Sequence, residues 1–151
     1  MARQPSLVEL RQVVRVFDAL SDRAMSDVAR AGRILDDAQA ALESREQECA
    51  ASEIEWQSAL SSASLPVDAV ARWSSAVMRD EAKVRAATSE VERRRADREK
   101  RAAEFRKAQH KSDTSLDVLA DAARKTRAKR EDKALNEAAD RILHRRGKTW
   151  S

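Results

Sequence analysis

The stretch Leu7–Ala59, LVELRQVVRVFDALSDRAMSDVARAGRILDDAQAALESREQECAASEIEWQSA, decides the fold. Its apolar residues recur in steps of three and four: Leu7, Leu10, Val14, Phe17, Ala24, Val28, Ala31, Leu35, Ala38, Leu42, Cys49, Trp56 and Ala59. This row has sixteen positions, and only Ser21, Arg45 and Ser52 interrupt it. Such a period places one apolar face along a helix, and the face needs a partner helix to cover it. Ser6 followed three residues later by Glu9 forms a capping box, so the helix is expected to begin at Leu7.

Ser61-Ser62-Ala63-Ser64-Leu65-Pro66 ends this pattern. Serine competes for backbone hydrogen bonds, and proline suits the first turn of a new helix. A second helix follows, with Val70, Trp73, Val77, Val84, Ala87 and Val91 on its face. A short connection makes consecutive helices antiparallel neighbours. The expected architecture is therefore all-α: a long antiparallel two-helix coiled-coil hairpin in one domain. Helix 1 spans about 7–60, the turn 61–66 and helix 2 about 67–146. Folding about residues 63–64 brings Trp56 near Trp73, Leu42 near Val84, Leu35 near Val91, and Leu116 and Leu119 opposite Leu10 and Leu7. Lys111–Ser115 is expected to stay helical, and Gly147 is the expected C-cap. Residues from about 121 to 146 then extend beyond helix 1. They keep an apolar stripe of Ala128, Leu135, Ala138 and Ile142, and an uncovered amphipathic helix calls for a partner.

Composition agrees with this architecture. Charged residues make up 37% and aromatic residues 3% of 151, with two glycines and two prolines. Residues 1–66 hold 7 basic and 11 acidic side chains, whereas residues 67–151 hold 23 and 15. The opposite signs suit two halves that face each other, with Arg94, Arg98 and Arg101 set against Asp22, Asp27, Asp36 and Asp37. Surplus positive charge is left near the C-terminus for an acidic partner.

Motifs for chemistry are absent. There is no glycine-rich phosphate loop, nucleophile elbow or HExxH pair. His110 and His144 stand apart in basic stretches without ligand spacing, so surface positions are expected and no metal or cofactor. Cys49 lies on the apolar row and is expected as a small buried hydrophobe. No apolar run reaches the roughly 18 residues that span a bilayer, and a cytoplasmic, non-enzymatic protein is the expectation. Trp56 and Trp73 are expected in the core at the hairpin tip, with partner binding as the alternative. Trp150 is either an anchor for a partner or a free tail.

One stretch carries a family resemblance. Lys129-Arg130-Glu131-Asp132-Lys133-Ala134-Leu135-Asn136-Glu137-Ala138-Ala139-Asp140, taken with the capped first helix and longer second helix, resembles the FliJ/YscO stalk proteins of flagellar and type III secretion export machines. Leu135 and Glu137 match a leucine and acidic residue of that family's terminal helix; Asn136 stands where a second acid is more usual. The resemblance implies a central stalk whose paired helix ends enter the hexameric export ATPase. Another surface would touch the export-gate membrane protein, and some members also bind secretion chaperones. It implies a cytoplasmic position peripheral to the inner membrane. Beyond Leu135 and Glu137, charge and pattern nominate Lys129, Arg130, Lys133, Arg141, Ile142, Arg145 and Arg146 as contacts to acidic loops. The alternatives are a self-associating structural or scaffolding coiled coil, and a basic nucleic-acid-binding helix using Arg93–Arg101 and Arg124–Arg130.

Overall fold

The computed structural model describes residues 5–61 and 66–148, with side chains described through Leu143. It contains two helices, α1 (Leu7–Leu60, 54 residues) and α2 (Val67–Lys148, 82 residues), that pack together as a hairpin, with no strand among the described residues. The expected boundaries of helix 1 and the start of helix 2 match. At the far end α2 continues through Gly147 to Lys148, so Gly147 is a helical residue rather than a cap. The expectations for Trp150, for residues 62–65 of the turn and for the side chains of His144, Arg145 and Arg146 lie outside the described residues.

Local chemistry sets the helix ends. The Ser6 amide donates to Glu9 Oε2 at 2.6 Å and the Glu9 amide donates to Ser6 Oγ at 3.2 Å, the reciprocal bonds of a capping box. The Leu10 amide reaches the Ser6 carbonyl at 3.0 Å and closes the first turn. At the end of α1, the Ser61 amide is shared between the Gln57 and Ser58 carbonyls while its hydroxyl donates to the Gln57 carbonyl at 2.9 Å. These bonds satisfy last-turn groups that the helix itself leaves open. The Pro66 carbonyl accepts from Ala69 at 2.9 Å and starts α2.

The chain divides into two compact units, residues 1–22 with 106–151 and residues 23–105. The unit of residues 23–105 buries Ala31, Leu35 and Cys49 of α1 and Val91 of α2. Within it Ser52 Oγ donates to Asp80 Oδ2 at 2.7 Å, and Arg98 Nε lies 4.0 Å from where a Cβ on Gly32 would stand. As numbers fall on α1 they rise on α2, which makes the pair antiparallel. The unit of residues 1–22 and 106–151 buries Val14 and Ser112, and Ser112 donates to Asp18 across the helices.

Every position of the α1 row is buried or half-buried except Arg45. On α2 a matching row runs from Val70 to Thr126 in alternating steps of three and four, and all of it but Arg98 is buried or half-buried. This row keeps its phase where its residues are polar: Asp80, Arg94, Arg101, Ser112, Ser115 and Thr126 occupy inward positions. Leu116 lies off the row and is 45% exposed, so it does not face Leu10 as expected. Leu7 and Leu10 instead share a cleft with Val118, Ala122 and Thr126. The cross-helix contacts in each unit fall about one helical turn further along α2 than folding about residues 63–64 gives. Helical side chains lean toward their own N-terminus, by about one residue. In an antiparallel pair the leans are opposite, which accounts for roughly two residues of the offset.

The expected cross-helix ion pairs do not form at Asp36 or Asp37, and Asp27 pairs with Arg30 of its own helix at 3.8 Å. Arg93 and Arg94 pair with Glu90, and Arg101 pairs with Asp97 at 3.8 Å and Glu104 at 3.3 Å. Neighbours three and four residues apart on one helix are closer than charges on opposite rims of two helices.

Candidate interaction surface

Past Thr126 the environment of α2 changes. Every described residue from Arg127 to Leu143 is exposed, including Leu135 at 68% and Ile142 at 60%. Pairing with α1 therefore ends near residue 126 rather than 121, because Ala122 and Thr126 are half-buried beside Pro5, Ser6 and Leu7.

The inward row does not continue as an apolar row. Its next positions are Lys129, Lys133, Asn136 and Asp140. The apolar residues Ala128, Leu135, Ala138 and Ile142 form a separate row offset by two residues. Two residues turn a helix by about 200°, so this stripe points away from the side that α1 covers on the preceding turns. Sequence reasoning found the stripe but not its change of face; comparing the phase of the two rows would have found it. It also missed Leu143, which is exposed and falls on the inward row, three residues after Asp140.

The nominated residues fall on two faces. Leu135 and Ile142 belong to the apolar stripe. Lys129, Arg130, Lys133 and Glu137 lie around the opposite side and Arg141 at the flank of the stripe, and Glu137 receives Lys133 at 3.8 Å and Arg141 at 3.9 Å. Arg127 pairs with Glu131 at 2.8 Å, while Lys129 and Arg130 have no ion pair among the described residues. Leu135 and Glu137, two positions apart, cannot meet one flat surface together. The backbone of Arg145 and Arg146 continues the helix.

Trp56 and Trp73 are half-buried on the inward rows of their helices. That environment gives both indoles core contact with partial access to solvent. Cys49 is buried, with Sγ 3.9 Å from Glu53 Oε1. Burial pushes its thiol up, and Glu53, Asp80 and Glu81 add to the effect, so the sulfur stays protonated and unsuited to nucleophilic attack. Three carboxylates move the other way. The Ser6 amide holds Glu9 low, Lys83 and then Ser52 hold Asp80 low, and Arg93 holds Glu90 low. These are the bonds of a cap and of helix faces, not a paired acid and base. Among the described residues no group of three His, Cys, Asp or Glu side chains converges to hold a metal ion, and no helix is long and apolar enough to cross a membrane.

No protein-family model matches this chain, and neither does any curated protein or solved structure.

Proposed function

We propose that this chain is a non-enzymatic coupling stalk of a bacterial type III protein export apparatus, binding the hexameric export ATPase through its paired helix ends and linking it to the export gate. The observation that carries this reading is the exposed continuation of α2 over residues 127–143, directly beyond the point where α1 starts. The resemblance of residues 129–140 to the FliJ/YscO terminal helix falls on that same segment. Lys129 and Arg130, free of ion pairs among the described residues, are the cations best placed to meet acidic loops of a ring. Leu135 and Ile142 offer apolar contacts on the other face. The location that goes with this role is the cytoplasm, at the periphery of the inner membrane, with secretion chaperones as further partners.

The test is ATP hydrolysis by a hexameric export ATPase from the same organism. It is titrated with the full chain and with a version ending at Thr126. Stimulation by the full chain, lost on truncation, supports the stalk. Absence of stimulation and of co-elution with the ATPase removes it.

A second reading has its own observation. The stripe of Ala128, Leu135, Ala138 and Ile142 is an apolar row of about four turns, of the kind that pairs with a second copy. A self-associating coiled coil predicts a concentration-dependent dimer in sedimentation that Leu135→Asp abolishes. For the nucleic-acid alternative, Arg93, Arg94, Arg101, Arg124 and Arg127 are engaged by carboxylates of their own helix, whereas Arg95, Arg98, Lys129 and Arg130 have no ion pair among the described residues.

A further inference from the structure

Within the unit of residues 1–22 and 106–151, two adjoining clefts run along one side of the helix pair. The first, of about 490 Å³, lies between Val13 and Phe17 on α1 and His110, Lys111 and Val118 on α2. The second, of about 710 Å³, runs on between Leu7 and Ala122 to Lys125 and Lys129. Leu10 and Val118 line both, so the two form one groove. From His110 to Lys129 it follows α2 for about 30 Å, the length of a helix of roughly 20 residues. Its floor is apolar, made by Leu7, Leu10, Val13, Phe17 and Val118. The expected partners of a groove of this width and length are helices that lay an apolar row into it.

Charge decides which helix. Lys111, Lys125 and Lys129 line the groove, and none has an ion pair or hydrogen bond among the described residues. Of the acids nearby, Asp121 pairs with Arg124 and Glu9 is held by the Ser6 amide, which leaves Asp117 of α2 without an ion pair among the described residues. With Lys111, Lys125 and Lys129 against that one carboxylate, the groove presents net positive charge along an apolar floor. A second copy is a poor match, because its exposed α2 segment flanks its apolar row with Arg127 and Arg141 as well as acids.

We propose that this groove is a docking site for an amphipathic helix of another protein, with an apolar row seated between Val13 and Val118 and acidic residues meeting Lys111, Lys125 and Lys129. The site lies along the side of the pair and does not depend on the export-stalk reading.

The test uses two fluorescent synthetic helical peptides of 20 residues with the same leucine row, one flanked by glutamates and one by lysines, titrated with the full chain and followed by anisotropy. The glutamate peptide binds, and the lysine peptide binds at least about tenfold more weakly. Lys125→Glu with Lys129→Glu lowers affinity for the glutamate peptide by about tenfold and raises it for the lysine peptide. Val13→Ser with Val118→Ser, at exposed positions, weakens both peptides with helix content unchanged by circular dichroism. Equal binding of the two peptides, or no binding of the glutamate peptide, overturns the proposal. So does a dimer of the chain that Val13→Ser with Val118→Ser dissociates, since the groove then holds a second copy.

Discussion

The two stretches of α2 on either side of Thr126 have similar charge-rich composition and belong to one unbroken helix, yet they live in different surroundings. From Val70 to Thr126 an inward row is covered by α1, even where it carries Asp80, Arg94 and Ser112. From Arg127 to Leu143 nothing is covered, even at Leu135 and Ile142. Burial along this helix follows the position of α1 and not the hydrophobicity of each residue. Polar residues tolerate the inward row in two ways: Arg94 packs its stem and pairs with Glu90 at the rim, while Asp80 and Ser112 bond across the pair to Ser52 and Asp18. Apolar residues past Thr126 stay exposed because no second helix among the described residues reaches them.

The largest effect should come from the covered stretch. Leu35→Ala removes a buried side chain from a row only one residue deep, and a loss of about 2–3 kcal/mol in urea unfolding is expected. A loss below ~0.5 kcal/mol would mean that the row is not what holds the helices together.

Asp18→Ala comes next, at about 1–2 kcal/mol, because it strands the buried Ser112 hydroxyl. Ser112→Ala should cost less, since water can solvate the exposed Asp18 carboxylate. Equal costs in thermal melts would contradict a polar contact in which only one partner is buried.

Gly32→Ala should stabilise by about 0.5–1 kcal/mol. No glycine among the described residues has a positive φ, and the new methyl would meet Arg98 at an ordinary 4.0 Å. A lower melting temperature would show that the helices approach more closely at this point.

The dependence on pH sharpens the same contrast. Glu9, Asp80 and Glu90 ionise more readily when folded, and all three belong to the covered part of the hairpin. The stability they add is complete above their ordinary values of 3.8–4.5 and is lost as pH falls through the lowered ones. Cys49 has the opposite sign. Its raised thiol contributes below the ordinary 9.0, and that contribution is lost as pH rises beyond it. A chain ending at Thr126 should keep both limbs of the profile. If truncation shifts either limb, the exposed segment takes part in folding.

The smallest effect belongs to that segment. Leu135→Ala should change stability by less than ~0.5 kcal/mol, measured by chemical unfolding of the chain alone. A larger loss would mean that the stripe is already covered, by a second copy or by residues outside those described.

Much of this was legible in the sequence. The Ser6/Glu9 box, the row from Leu7 to Ala59 and the Ser/Pro break placed both helices to within two residues at the described ends. The candidate surface was half legible: the exposed tail of α2 was expected, but its start was placed five or six residues early. Leu116 misled the pairing because its hydrophobicity outweighed its phase. The side groove beside Val13 and Val118 was not seen, because it is made by side chains of two helices that no single periodic pattern joins.

What the sequence by itself determined is therefore local and periodic. Helix type, helix ends and the identity of the inward row on α1 follow from hydrogen-bond chemistry and a repeat of three and four residues. Only the tertiary structure decided the register of the two helices, the polar members of the α2 row, and the residue at which cover ends. Register is set by the summed fit of two whole faces and by the direction in which side chains lean from each backbone. No stretch of one helix contains that information, because it belongs to the pair.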